Sequence, residues 1–285
     1  MTVEKTSFLV NSFHSAKQML CDVQFVENGQ KKPVILFVHG FKGFKDWGHF
    51  NKLAEQFAKA GFVFIKFNLS HNGTTPEEPL DFADLDAFGN NNYTIELDDI
   101  KSMLDCIESN SFPISKKEFD INKIYIIGHS RGGGVSIIKA SEDIRIKKLV
   151  TWASVAKFGT MVTGDMMKEW KDTGVFHIFN SRTKQNMPLY YQLIEDMEQH
   201  SERFSIQKSA AKLNIPYLNI HGDKDETVPV SAASELGKSY LNTEVHIIKG
   251  ANHVFGATHP FEAASLPIHA QEIFDKSVEF LNKQK

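Results

Sequence analysis

The sequence predicts an α/β protein built on a doubly wound, mostly parallel sheet, with a small cap inserted between late strands. Three observations carry that expectation. Short apolar runs rich in Val, Ile and Phe recur along the chain, at a length that suits strands buried on both faces. Between them lie segments whose apolar residues repeat at helical spacing, so strands alternate with helices. A stretch from about 156 to 213, rich in Met, Phe, Tyr and Trp, breaks the rhythm and is too long for a simple connection.

The elements follow in chain order. Asp22–Glu27 followed by Asn28-Gly29 reads as a strand closing in a hairpin turn, which predicts an antiparallel edge. Val34–Val38 is the first buried strand. Phe50, Leu53, Ala54, Phe57 and Ala58 then share a helical face that ends at Gly61, a residue suited to a helix C-terminus. Phe62–Phe67 is the next strand. The polar segment Asn68–Asn92 is expected to be a long surface loop near the sheet's C-terminal edge, with Phe82 and Phe88 in it and no role assigned to either. Ile95, Leu97, Ile100, Met103, Leu104 and Ile107 mark a second helix. The strand Ile124–Ile127 and the helix carrying Val135, Ile137 and Ile138 flank a Gly-rich turn, and Lys148–Trp152 is a further strand.

Inside the insertion, Phe176–Phe179 and Met187–Tyr191 can pair as a hairpin around the polar turn Asn180-Ser181-Arg182-Thr183-Lys184, with Pro188 confined to an edge. The strand pattern resumes at Tyr217–Ile220 and Val245–Ile248. Helical stripes fall at Ala232, Ala233, Leu236 and Leu241, and at Ile268, Ile273, Phe274, Val278 and Leu281. The reading is a core domain of residues 1–155 and 214–285, with 156–213 as cap or lid.

Composition removes several function classes. With 32 Lys+Arg against 35 Asp+Glu, the net charge of -3 gives no electrostatic case for nucleic acid or an anionic membrane. Cys21 and Cys106 are too few for a disulfide framework and lack metal-ligand spacing, and no H-E-x-x-H or C-x-x-C occurs, so no metal is expected. The N-terminus lacks a basic region followed by an apolar run, and no stretch nears the roughly 18 apolar residues of a membrane span. The expectation is a soluble, cytoplasmic protein. Its expected partners are a small molecule and at most a second copy of the chain as a homodimer. Among the aromatic residues, 23 Phe stand against 6 Tyr and 3 Trp, a marked apolar bias.

Gly128-His129-Ser130-Arg131-Gly132 carries the chemistry. It lies between a buried strand and a helix, the context of a G-x-S-x-G nucleophile elbow. A serine on that tight turn is strained and exposed, and the flanking positions must be small where strand and helix meet. Arg131-Gly132-Gly133-Gly134 does not fit a phosphate cradle, since both G-x-x-x-x-G-K-[ST] and G-x-G-x-x-G are absent there. No cofactor is therefore expected.

Upstream, Val34–Val38 ends in His39-Gly40-Phe41-Lys42-Gly43, whose loop supplies a second amide to an oxyanion hole, so the Phe41 and Arg131 N–H groups are the candidate donors. His39, at a strand end, reads as a structural histidine. Downstream, the order serine, acid, histidine nominates Ser130, Asp225 and His253 as the catalytic residues. Asp223 competes with Asp225. The H-G-x-x-D-x-x-V-P spacing favours Asp225 and leaves Asp223 to satisfy loop amides.

With these residues in this order, the chain resembles the α/β-hydrolase superfamily across nearly its whole length. His39-Gly40-Phe41-Lys42-Gly43, Gly128-His129-Ser130-Arg131-Gly132-Gly133 and His221-Gly222-Asp223-Lys224-Asp225 look most like its dienelactone hydrolase, serine aminopeptidase-like and cinnamoyl (feruloyl) esterase branch. The resemblance implies a cofactor-independent serine hydrolase, often an esterase of small or aromatic acyl groups, with oxyanion donors at Phe41 and Arg131. Many cinnamoyl esterases carry Gln where this chain has Arg131. An arginine at a helix N-terminus is disfavoured by up to ~1 kcal/mol, which leaves open an acidic partner, a solvent-facing side chain or an anionic substrate group.

Trp170, Phe176, Phe179, Tyr190 and Tyr191 are the cap residues expected to give the acyl pocket an apolar wall. An aminopeptidase, thioesterase or acyltransferase would use the same triad, with Glu195, Asp196, Glu198 and Glu202 as candidates to receive a substrate amine. A catalytically silent binding protein on the same fold is the remaining alternative.

Overall fold

Alternate residues of the central strands point to opposite faces, and both faces are buried. The computed structural model describes residues 2–14, 16–159 and 162–283. Its elements are β1 (Glu4–Asn11), β2 (Gln18–Phe25), β3 (Lys32–Val38), α1 (Phe50–Lys59), β4 (Val63–Phe67), α2 (Leu85–Gly89), α3 (Tyr93–Glu108), β5 (Phe119–His129), α4 (Arg131–Glu142) and β6 (Ile146–Trp152). They continue with α5 (Asp165–Thr173), β7 (Val175–Asn180), β8 (Gln185–Tyr190), α6 (Gln192–Gln199), α7 (Ile206–Ala211), β9 (Tyr217–Gly222), α8 (Ser231–Ser239), β10 (Thr243–Ile248) and α9 (Ile268–Asn282).

Eight strands form one sheet in the order β1-β2-β4-β3-β5-β6-β9-β10. From β4 to β10 every pairing is parallel, while β1 and β2 run antiparallel at one edge. On one face Val34, Leu36, Val38, Ile65 and Ile126 pack with α3 and α4 residues such as Ile100, Leu104 and Ile138. On the other, Ile35, Phe37, Phe64, Ile127 and Trp152 pack with Phe57 of α1 and Ile273 of α9. No helix among the described residues is long and apolar enough to cross a membrane.

Two expectations need correction. The Asn28-Gly29 turn does not close a hairpin of β2 with β3, because β4 lies between them and pairs with both. Glu118 holds that turn instead: it accepts from the Asn28 and Gly29 amides at 3.2 and 2.7 Å and pairs with Lys32 Nζ at 2.8 Å. The antiparallel edge is real, but β1 makes it. That strand is missing from the sequence reading because it is an edge strand whose one fully buried residue is Val10.

The second correction concerns 68–92, which is a surface loop only in its middle, about 75–86, and is buried at both ends. Asn68, Ser70, His71 and Asn72 are buried, as are Phe82 and Phe88. The polar side chains are satisfied from within: Asn68 Oδ1 accepts from the Lys45 amide at 2.7 Å, and Asp99 accepts from the Ser70 amide at 2.7 Å. A polar composition therefore concealed a buried segment. Asp84 caps the short α2 by accepting from the Ala87 amide at 2.8 Å.

Between β6 and β9 the predicted hairpin is present, with Phe176 opposite Leu189 and His177 opposite Pro188. Pro188 is tolerated because each strand of a two-stranded ribbon has a free edge. The hairpin docks on the 80s segment. Arg182 pairs with Asp81 at 3.0 Å, Gln185 Nε2 donates to the Phe82 carbonyl at 3.1 Å, and the Tyr190 hydroxyl donates to Asp86 at 3.0 Å. Trp170, Leu193, Ile194 and Ile206 belong to the same buried cluster as one face of the sheet.

Charge is also buried at the antiparallel edge. Lys66 on β4, fully buried, donates to Asp22 on β2 at 2.7 Å and to Asp46, while Lys45 pairs with the same two carboxylates at 2.7 and 2.6 Å. Burial alone would raise the Asp22 carboxyl, but Lys66 and Lys45 hold it well below the usual carboxylate range. Removing one partner of such a cluster strands a buried charge. Lys66→Met is expected to lower unfolding free energy by about 3–5 kcal/mol in urea denaturation.

Candidate active site

The turn from β5 to α4 has room for glycine alone at two positions. A Cβ on Gly128 would lie 2.4 Å from the Gly132 carbonyl oxygen, and one on Gly132 would lie 2.4 Å from the His39 carbonyl oxygen. Ser130, between them, has φ +57° and ψ −123°, a conformation that costs a side-chain-bearing residue about 1–3 kcal/mol. Its amide is tied to the Trp152 carbonyl at 2.9 Å and its carbonyl receives the Gly133 amide at 3.0 Å. The serine thus sits at the N-terminus of α4, where the helix favours developing negative charge.

The loop after β3 presses on the same turn. A Cβ on Gly40 would be 2.8 Å from Ser130 Cβ, which brings the backbone of Gly40-Phe41 beside the serine. The Gly43 amide closes this loop on the Gly40 carbonyl at 3.0 Å, with Lys42 at φ +54°. Neither the Phe41 amide nor the Arg131 amide donates to an acceptor among the described residues. His39 is spent on structure. Its Nδ1 donates to the Gly40 carbonyl at 2.9 Å, Nε2 accepts from the Leu69 amide at 3.3 Å, and burial lowers its pKa to about 4.

Asp225 and His253 come together from the turns after β9 and β10, with Asp225 Oδ2 2.8 Å from His253 Nδ1. Asp225 Oδ1 accepts from the Thr227 and Val228 amides, both at 2.8 Å. His221 Nε2, which donates to the Val228 carbonyl at 2.9 Å, is also 3.3 Å from the carboxylate. Burial would raise the Asp225 carboxyl, but the histidines and the Val228 amide hold it well below the ordinary carboxylate range. The acid is therefore ionised and its direction fixed.

His253 lies over the elbow: His129 Nε2 donates to its carbonyl at 3.0 Å, and the two rings are 4.9 Å apart. No hydrogen bond joins Ser130 Oγ to His253 among the described residues, and both side chains are part-exposed. Asp223 is exposed and accepts from the Gly250 amide at 2.6 Å, so it does not meet His253.

Arg131 has an acidic partner that the sequence did not single out. Its Nη2 lies 2.5 Å from Oε1 of Glu96, a buried residue in the first turn of α3. Glu96 falls inside an apolar helical stripe, and nothing in the local pattern distinguishes it from a solvent-facing glutamate. The guanidinium also lies 4.3 Å from the Phe41 ring centroid and 5.7 Å from that of Tyr93.

The five cap aromatics are not gathered at the serine. Trp170 is buried, donates to the Leu189 carbonyl at 2.8 Å and packs on Phe176 and Tyr191. Tyr190 lies on Gly89 of α2, and Phe179 is 58% exposed. Phe41 of the loop after β3 instead stacks on Phe88 at 5.6 Å, with Phe82 and Phe44 beyond it. Among the described residues, no group of three or more His, Cys, Asp or Glu could hold a metal ion.

A family model described as alpha/beta hydrolase fold matches residues 33–176. Monoacylglycerol lipase ABHD6 of Homo sapiens is 24% identical over 273 residues, spanning 83% of this chain and 74% of the relative. The bovine lipase of the same name is 24% identical over 271 residues, 82% of this chain and 74% of its own. Among solved structures, Est1E from Butyrivibrio proteoclasticus with ferulic acid bound superposes with a TM-score of 0.70 at 17% identity, over 96% of this chain and 97% of that one. A putative dienelactone hydrolase from Klebsiella pneumoniae superposes at 0.65 with 16% identity over 100% of both chains. These likenesses to solved structures show the fold.

Burial keeps several histidines neutral in the folded chain: His39, His49 and His71 are lowered to about 4 and His129 to about 3. Their unfolded forms take up protons near pH 6.5, so between about 6.5 and 4 the unfolded chain binds more protons and stability rises with pH. Asp99 works the other way, since burial raises its carboxyl to about 7 and the folded chain holds that proton. Four groups outweigh one. The urea midpoint is expected to drop steadily from pH 6.5 to pH 4, and a flat profile would contradict this account.

Proposed function

Since the chain belongs to the alpha/beta hydrolase family, we propose that it is a serine hydrolase that cleaves carboxylic esters through an acyl-enzyme. The observation that carries this reading is the Asp225–His253 pair, set at 2.8 Å and laid over a strained Ser130 at the head of α4. Ser130 is the nucleophile, His253 the acid and base, and Asp225 the group that orients the imidazole.

The steps follow from the geometry. Ser130 Oγ attacks the ester carbonyl while His253 Nε2 takes its proton, and Asp225 holds the proton on Nδ1 and stabilises the imidazolium. The Phe41 and Arg131 amides, unpaired among the described residues, accept the oxyanion into a preorganised pair of donors. Collapse expels the alcohol, which takes its proton from His253. A water activated by the same histidine then releases the acid. The Ser130–His253 hydrogen bond forms once substrate is bound, as catalytic hydrogen bonds commonly do.

Small or aromatic acyl groups suit the surroundings best. Phe41 stacks on Phe88, which joins Phe44, Phe82 and Met187 in one apolar cluster beside the oxyanion loop. Est1E, which binds the aromatic acid ferulic acid, is similar in fold, and a lipase of monoacylglycerols is similar in sequence, which supports an ester substrate. The aminopeptidase alternative finds little support in its candidate acids among the described residues, which are paired or exposed to solvent. Asp196 accepts from the Tyr93 and Thr94 amides, Glu202 pairs with Lys208, Glu96 pairs with Arg131, and Glu195 and Glu198 are exposed.

A fluorophosphonate probe is expected to label Ser130 in the native protein, read by peptide mass spectrometry; an unlabelled serine would sink the proposal. Asp225→Asn is expected to lower kcat on p-nitrophenyl acetate by about 10⁴-fold. Asp223→Asn, which touches a loop amide, should cost less than about tenfold, and the reverse ranking would reassign the acid.

A further inference from the structure

The two amides that face the oxyanion in this reading belong to segments far apart in sequence, Phe41 after β3 and Arg131 at the start of α4. Their separation must be held tightly. Donors act when they sit about 2.7–3.1 Å from the oxyanion, and a misplacement of about 1 Å can cost about 10²-fold in rate. Backbone contact at Gly40 and Gly132 sets the approach of the two segments but stops short of Phe41 itself. The next residue, Lys42, has a left-handed backbone at φ +54°, so this loop does not relax into that shape unaided.

We propose that the Arg131 side chain is a positioning residue that clamps Phe41 onto the first turn of α4 and so sets the spacing of the two oxyanion amides. The inference rests on the acyl-enzyme reading above. The guanidinium lies 4.3 Å from the centroid of the Phe41 ring, so the side chain of one donor residue grips the side chain of the other. Phe41 is also stacked on Phe88 at 5.6 Å and 28°.

Arg131 is itself fixed. Glu96 Oε1 receives it at 2.5 Å and receives Asn91 Nδ2 at 2.7 Å. Glu96 is 1% exposed, and its other oxygen has no partner among the described residues, so a carboxylate has been desolvated to hold this one cation. Such a pair adds little net stability, and an arginine at a helix N-terminus opposes the helix dipole. What the pair does supply is a fixed direction for a rigid, planar cation.

The test uses p-nitrophenyl acetate as substrate and phenylboronic acid as a probe that forms a tetrahedral adduct on a nucleophilic serine. Arg131→Gln combined with Glu96→Gln keeps an amide-to-amide contact and strands no charge, while Phe41→Leu removes the ring and leaves the amide. The double replacement is expected to lower kcat by about tenfold or more with KM unchanged, and to weaken phenylboronic acid by the same factor. Its thermal midpoint should stay within a few degrees of the parent, which separates positioning from loss of fold. Adding Phe41→Leu should cost no further activity, because both changes remove one contact.

An unchanged kcat overturns the clamp. So does a raised KM at constant kcat, which would place Arg131 in direct contact with substrate, and so does multiplication of the two effects. Fluorophosphonate labelling of the parent protein separates the layers. A labelled Ser130 with unaltered variant kinetics removes only the clamp, whereas an unlabelled Ser130 removes the acyl-enzyme reading and the clamp with it.

Discussion

Backbone packs directly on backbone beneath Ser130, and the rest of the site depends on that approach. Gly132 sits so near the His39 carbonyl, and Gly128 so near the Gly132 carbonyl, that no side chain fits at either place. This closeness joins the ends of β3 and β5 to the first turn of α4. It forces Ser130 into a conformation with positive φ, and it brings Gly40 against the serine from the other side. The cost in strain is offset by β3, β5 and β6, which are buried on both faces where they run into the turn. A flexible turn would not hold the Ser130 side chain in one direction, whereas a strained one fixed by the sheet does.

The buried charges serve a related purpose. Lys66 and Lys45 with Asp22 and Asp46 join the antiparallel edge to the loop after β3. Lys32 with Glu118 fixes the passage from β2 to β3 over the intervening strand. Arg131 with Glu96 ties α4 to α3. Apart from Lys45 with Asp46, which are adjacent, each pair joins residues at least 20 positions apart in the chain. Replacing such pairs by apolar residues is often neutral or better for stability, so their value here is in geometry: apolar contact permits small slips that a directed ion pair forbids.

Much of this was legible in the sequence, and what was not has a common cause. The parallel strands declared themselves because strands buried on both faces are apolar throughout, and the elbow did because its glycines are required by contact. The order Ser130, Asp225, His253 and the choice of Asp225 over Asp223 followed from turn spacing, and in the structure Asp225 is the acid that meets His253. β1 was invisible because an edge strand hides only part of its length. The segment 68–92 was misread because Asn68, Ser70 and Asn72 are polar residues whose partners lie inside the protein. Glu96 was missed for the same reason. A buried polar group is defined by a partner distant in sequence, and periodicity carries no information about that partner.

The excess of phenylalanine shows how far composition reaches into the site. Phe37, Phe50, Phe57 and Phe64 crowd around Trp152 beneath the sheet, so much of the excess is core. A second group, Phe44, Phe82 and Phe88, meets Phe41, and it comes from the 80s segment and the loop after β3. Within the insertion, Trp170, Phe176 and Tyr191 pack on one another, and Phe158 and Phe204 pack on Tyr93 of α3. Tyr190 rests on Gly89, where a Cβ would be 2.8 Å from its ring, so the hairpin seats directly on the helix that carries Phe88. Phe88 in turn stacks on Phe41. The insertion therefore reaches the loop after β3 through packed groups, Tyr190 on Gly89 and Phe88 on Phe41, so its hairpin supports that loop from behind.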